Sequence, residues 1–219
     1  MRAVVVSHGE VDPADVAHVR GADLIIVADG GSDHVRRWGI EPHVVIGDLD
    51  SVAPEAVMGT ARVERHPREK DQTDTELALA RAIASGADEI VLVGALGGPR
   101  IDHALANALL LAGIDRASAR VRIVHGPMSM RLVRGGERLV LGGKEGELVS
   151  LLAIAGDARG VRTEGLRYPL DGETLRLGSS RGVSNEVSAA GAAVSVAEGA
   201  LLVVEGGALA AGSGQQPKP

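Results

Sequence analysis

Short apolar runs, mostly of β-branched residues, recur through the first 125 positions at 3–6, 24–27, 44–46, 90–93 and 121–124, with a weaker run near 62–64. Amphipathic stretches separate them. Continuous apolar strands that alternate with helical periods predict a mostly parallel sheet covered by helices on both faces, so the first half reads as α/β, Rossmann-like in class. The clearest helix opens at Thr73, where Thr73 and Glu76 supply the T-x-x-E pair of a capping box. Leu77, Ala80, Ile83 and Ala84 follow at helical spacing, and Gly86 closes the element. A second helix is expected from near Asp102, burying Leu105, Leu109 and Leu110. Its polar residues His103 and Asn107 are four apart and share a face.

After Gly126 the texture changes to short segments punctuated by glycine, among them "RLVLGG", "ELVSLLAIAG", "GVRTEGLRYPL" and "AAVSVAEGALLVVEGG". Turn signals at intervals of roughly 8–12 residues predict an all-β sandwich or barrel. The boundary falls at "HGPMS", which divides the chain into domains 1–126 and 127–212. The small, polar, proline-containing end, 213–219, is expected to be a disordered tail.

Composition narrows the chemistry. Among 219 residues there is no Cys, which excludes disulfides, zinc–thiolate sites and thiol nucleophiles. The formal net charge of -6 and an aromatic content of 1% speak against a nucleic-acid surface of basic stripes and stacking rings. No stretch has the length of a membrane span and the N-terminus has too short an apolar run for a signal peptide, so a cytoplasmic protein is expected.

In an open parallel sheet, ligands lie beyond the carboxyl ends of the strands. Four predicted strands deliver carboxylates or glycines to that edge. They end in "DGG" (Asp29, Gly30, Gly31), in "GDLDS" (Gly47, Asp48, Asp50, Ser51), in "REKDQTD" (Lys70, Asp71, Gln72, Asp74) and in "GALGGPRIDH" (Gly94, Gly97, Gly98, Arg100, Asp102, His103). Singly each has a structural use: Asp29 as a turn residue, Asp74 as a complement to the helix dipole, Asp102 as a helix cap, Arg100 as a solvated charge. Together, like charges at one edge require a compensating cation, and aspartates without Cys favour Mg²⁺. That ion usually completes its shell with water and phosphates, and glycine amides with Arg100 and Lys70 suit phosphate oxygens. The combination points to nucleotide-dependent phosphoryl or diphosphoryl transfer, although neither G-x-x-x-x-G-K-[ST] nor a first-strand G-x-G-x-x-G is present.

The motifs "ADGG" at 28–31, "GDLDS" at 47–51, "EKDQTDTELAL" at 69–79, "GALGGPRIDHALANALLL" at 94–111, "GLRYPL" at 165–170 and "GVSNE" at 182–186 occur in one order along nearly the whole chain. In this the sequence resembles the thiamine pyrophosphokinase (thiamine diphosphokinase) family. The resemblance implies an α/β domain followed by a β-sandwich, a homodimer, and transfer of a diphosphate from ATP to the hydroxyl of thiamine with release of AMP. It assigns Asp48, Asp50 and Asp71 to Mg²⁺ and the triphosphate, with Asp29, Gly30, Lys70, Gln72, Gly97, Gly98 and Arg100 on the ATP side. Asp74 joins the catalytic set near the reacting hydroxyl, and Asp102, Ser184 and Asn185 fall to thiamine. Pro99 is a departure, making "GGPR" of a tighter "GGR". The C-terminal half offers only Tyr168 as a ring that could stack on thiamine, and Trp38 is expected to pack at a helix end. Two rival readings share the ATP end: a diphosphokinase for another primary alcohol, such as a hydroxymethyl-pterin, and a noncatalytic sensor of thiamine diphosphate or nucleotide.

Overall fold

The structure is a computed structural model, and it describes residues 1–48, 61–115 and 118–208. Contacts divide the chain into two compact units, Met1–Ser129 and Met130–Pro219.

The first unit is built on strands β1 (Arg2–Val6), β2 (Leu24–Ala28), β3 (Val44–Gly47), β4 (Arg62–Arg65), β5 (Glu89–Val93) and β6 (Arg120–His125), in the order β6-β5-β1-β2-β3-β4. Every pairing among them is parallel. Val4, Val5, Val6, Val27, Ile90, Val91, Leu92 and Val93 are fully buried, as the continuous apolar runs of a parallel sheet are expected to be. Helices α1 (Val16–Arg20), α2 (Ser32–Trp38), α3 (Asp74–Ala84) and α4 (Ile101–Gly113) belong to the crossovers. The strand order reverses between β1 and β5, and at such a switch point the loops leaving adjacent strands diverge and open a crevice.

Both expected helices form, but with rotated faces. On α3 the buried side chains are Thr75, Ala78, Leu79 and Ala82; Ala80 and Ala84 are exposed, while Leu77 and Ile83 are half-buried. The Ser7 hydroxyl lies 2.9 Å from that of Thr75, which fixes the first turn on β1 and lets the small Ala78 and Ala82 lie flat on the sheet. Thr73 caps the helix, its hydroxyl accepting from Glu76 N–H at 3.2 Å, and Gly86 leaves it with a φ of +80°. On α4 the buried set is Asn107, Ala108 and Leu111. Of the three leucines expected in the core, Leu105 and Leu109 are 61% and 47% exposed and only Leu110 is half-buried, while Ile101 at the helix start is 79% exposed. The reason is Asn107, whose buried amide donates to the Ala95 carbonyl at 2.8 Å and sets the helix rotation, leaving His103 exposed.

The second unit contains β7 (Met128–Arg134), β8 (Glu137–Val140), β9 (Glu147–Ala153), β10 (Ala158–Glu164), β11 (Asp171–Leu175), β12 (Asn185–Glu186), β13 (Ala193–Val196) and β14 (Ala200–Ala208). They make two layers, β12-β9-β14-β7 and β11-β10-β13-β8. Val133, Val149, Leu151, Leu201 and Val203 of one layer pack with Val161, Leu175, Val194 and Val196 of the other in a single core. No helix among the described residues is long and apolar enough to cross a membrane.

Candidate functional site

The carboxyl ends of β2 and β3 meet at Asp29. A turn of 3-10 helix over Asp29–Gly31 leads from β2 into α2, and Asp29 adopts a φ of +35°, a region that L residues rarely occupy. Glycine at the neighbouring positions makes room for this turn. A Cβ on Gly47 would lie 2.9 Å from that of Asp29, and one on Gly30 would fall inside the His8 imidazole.

Burial pushes the Asp29 carboxyl up from its ordinary range, and the negative charges of Asp48 and Asp74 push it further; the Gly30 N–H and His8 oppose this. Its Oδ1 is buried without a hydrogen-bond partner among the described residues. The Lys70 ammonium lies 2.9 Å from Asp74 Oδ1, off hydrogen-bonding geometry, and donates instead to the Pro67 carbonyl at 3.1 Å. Asp29 is thus a carboxylate that two others disfavour in its charged form, with a buried oxygen left unpaired among the described residues. Among the described residues no group of three acidic or imidazole side chains is placed to hold a metal ion. Asp50 and Ser51 lie outside the described residues. Asp71 and Gln72 are exposed and make no polar contact among the described residues.

The glycine-rich segment lies at the β1/β5 switch point. Gly9 N–H donates to the Gly94 carbonyl at 2.6 Å and Glu10 N–H to that of Leu96 at 2.8 Å, so the loop after β1 and the loop after β5 form one wall. Gly97 and Gly98 have φ of +72° and +79°, and the Glu10 side chain rests against Gly97. From α2, His34 reaches back to this wall, its Nε2 2.9 Å from the Gly9 carbonyl. Burial lowers the His34 pKa, and the Gly9 carbonyl opposes this; the ring also stacks on Trp38 with centroids 5.8 Å apart. Arg100 and Asp102 pair with each other in solvent, at 2.7 Å, and the guanidinium holds the Asp102 carboxyl well below the usual carboxylate range.

His8, Glu10 and His34 were not among the candidates read from sequence. "SHGE" directly follows the first strand, and the rule that brought "DGG" and "GDLDS" forward applies to it equally. His34 offers no such signal, because only folding brings it back to Gly9.

In the second unit a pocket of about 170 Å³ is lined by Tyr168, Leu170, Arg181, Gly182, Val183, Ser184 and Asn185. Asn185 is buried there. Its Oδ1 accepts from Tyr168 N–H at 3.0 Å and its Nδ2 donates to the Tyr168 carbonyl at 2.7 Å, an amide clamp between "GLRYPL" and "GVSNE". The amide is thereby occupied in holding the wall. Ser184, with a φ of +60°, donates its N–H to Ser150 Oγ at 3.1 Å. Tyr168 is exposed, with the Arg167 guanidinium 5.7 Å from its ring centre.

Comparison with known proteins follows this division. Residues 17–124 match the family model described as thiamin pyrophosphokinase, catalytic domain, and residues 138–201 match that of the thiamin pyrophosphokinase vitamin B1 binding domain. The thiamine pyrophosphokinase of Bacillus subtilis (strain 168) is 29% identical over 188 residues, spanning 83% of this chain and 86% of that protein. A crystal structure of the B. subtilis protein superposes with a TM-score of 0.84 at 25% identity, over 95% of this chain and 100% of that one. That of thiamin pyrophosphokinase from Geobacillus thermodenitrificans gives 0.80 at 26%, over 94% and 98%. The Candida albicans thiamin pyrophosphokinase, at 13% identity, shares the fold with a TM-score of 0.79 over 94% and 89%. With both domain models matched in order and whole-length relatives of the same kind, the chain belongs to the thiamin pyrophosphokinase family.

Proposed function

We propose that the chain is a thiamine diphosphokinase: the primary hydroxyl of thiamine attacks the β-phosphorus of ATP, the diphosphate is transferred, and AMP leaves. Family membership supports the reaction. The observation that carries the site is the convergence of Asp29, Asp48 and Asp74 at the carboxyl ends of β2 and β3 and the start of α3, with the orphaned Asp29 Oδ1 among them.

We assign Mg²⁺ to Asp48, with Asp50 and Asp71 completing the acidic set. When bound, the ion screens the triphosphate and polarises the phosphoryl oxygens. Asp29 would add negative potential near the residues that would hold the ion, and Lys70 is placed to exchange its Asp74 contact for a phosphate oxygen. Release of Lys70 frees Asp74 to accept a hydrogen bond from the attacking hydroxyl. Charge stabilisation and orientation carry most of the rate, since phosphoryl transfer demands little from a strong base. Thiamine is assigned to the pocket of the second unit beside Ser184 and Asn185. A cytoplasmic homodimer completes the reading.

The test is thiamine-dependent AMP release from ATP in Mg²⁺. Release that requires thiamine supports the reading, whereas release driven by a hydroxymethyl-pterin and not by thiamine overturns it. Tight ligand binding with no turnover would identify a sensor instead.

A further inference from the structure

The glycine-rich wall at the β1/β5 switch point carries a carboxylate where phosphate binding alone would predict only amides. Glu10 is anchored through its own N–H to the Leu96 carbonyl. Its side chain lies across Gly97 so closely that a Cβ there would be 2.8 Å from Glu10 Oε2 and 2.9 Å from Glu10 Cβ. Among the described residues no donor pairs with this carboxylate, and the side chain is exposed. An unpaired negative charge at this end of the crevice repels phosphate and calls for hydrogen-bond donors. The segment does not drift, because His34, 8% exposed, holds the adjacent Gly9 carbonyl, while Gly9 N–H holds Gly94.

Strand order fixes where such donors lie along a nucleotide. The acidic cluster is at the ends of β2 and β3, one and two strands from β1. At about 5 Å per strand, a group at Glu10 stands roughly 5–10 Å from a phosphorus held over that cluster. This is the separation between the ribose and the β-phosphorus of a nucleoside triphosphate. We propose that Glu10 is the specificity-determining residue for the nucleoside, its carboxylate accepting hydrogen bonds from the vicinal 2′- and 3′-hydroxyls of the ribose. Gly97 has a backbone conformation that favours glycine, and a side chain there would also displace Glu10, so the loop after β5 serves the ribose end of ATP.

The inference rests on the proposed function only for the presence of a nucleotide, so its test is an equilibrium measurement. Calorimetry on the full chain compares AMP with 2′,3′-dideoxy-AMP, which differ only in the hydroxyls. The wild-type chain is expected to prefer AMP by about ten- to a hundredfold, the range of a hydrogen bond to a charged acceptor. Glu10→Ala should bring that preference within twofold, and Glu10→Gln, which keeps one carbonyl acceptor, should fall between. Equal binding of the two ligands by the wild type, no binding of either, or an unchanged preference in Glu10→Ala overturns the proposal. So does an effect of Glu10→Ala confined to the KM for thiamine, which would place the carboxylate beside the cationic thiazolium. If the preference behaves as expected but thiamine drives no AMP release, the ribose assignment stands and the thiamine reading falls.

Discussion

The two motif regions solve opposite problems. At the β2/β3 edge, Asp29 carries a buried oxygen without a partner among the described residues and lies near two further carboxylates. At the Tyr168–Asn185 wall of the second unit, both ends of a buried amide are satisfied by one backbone residue. The first arrangement costs stability and is poised for a ligand; the second contributes stability and shapes a surface. Charge left uncompensated and polarity fully paired therefore distinguish the two regions, even where both are built from glycine-punctuated loops.

That contrast can be broken in several places. The largest effect is expected from Asp48→Asn, which should lower kcat by at least about a hundredfold while leaving the melting temperature within roughly 2 °C. Steady-state AMP release and calorimetric melting check the two halves. A variant that keeps most of its activity at saturating Mg²⁺ would remove Asp48 from the centre. Asn185→Leu should act the other way round: it deletes the clamp and strands the Tyr168 backbone, for a loss of about 2–4 kcal/mol in urea unfolding.

Asp29→Asn comes next. The folded state raises the Asp29 pKa, so this group's contribution is whole below its unfolded pKa near 3.8 and is lost as pH rises through the higher folded value. At pH 7 without Mg²⁺ the asparagine variant should therefore melt above the wild type, and the gap should close as pH falls toward 4. A gap that widens in acid would reverse the electrostatic assignment. Smallest of all, Arg100→Ala should shift the melting temperature by no more than about 1 °C, because both partners of its pair are solvated.

The alternation of apolar runs was enough to place the parallel strands, and the carboxyl-end rule gathered Asp29 and Asp48 from separate motifs. Helix faces were less legible. On α3 and α4 a polar residue inside the apolar period, Thr75 or Asn107, finds a specific partner and rotates the helix about it, which a count of apolar spacing does not foresee. Glu10 and His34 show a different gap: a carboxylate matters here because of the glycine beneath it, and a histidine because of a carbonyl 25 residues earlier. Such pairings exist only after the chain has closed on itself.

The hydroxyl contact between Ser7 and Thr75 has a practical consequence. It rivets the residue after Asp74 to the residue that follows the first strand, so the segment from His66 to Thr73 joins two fixed points without bearing the position of that carboxylate. A reporter dye coupled to a cysteine introduced at Gln72 would then move against a stationary background. In a chain without native cysteine, it would label one position and report the arrival of nucleotide.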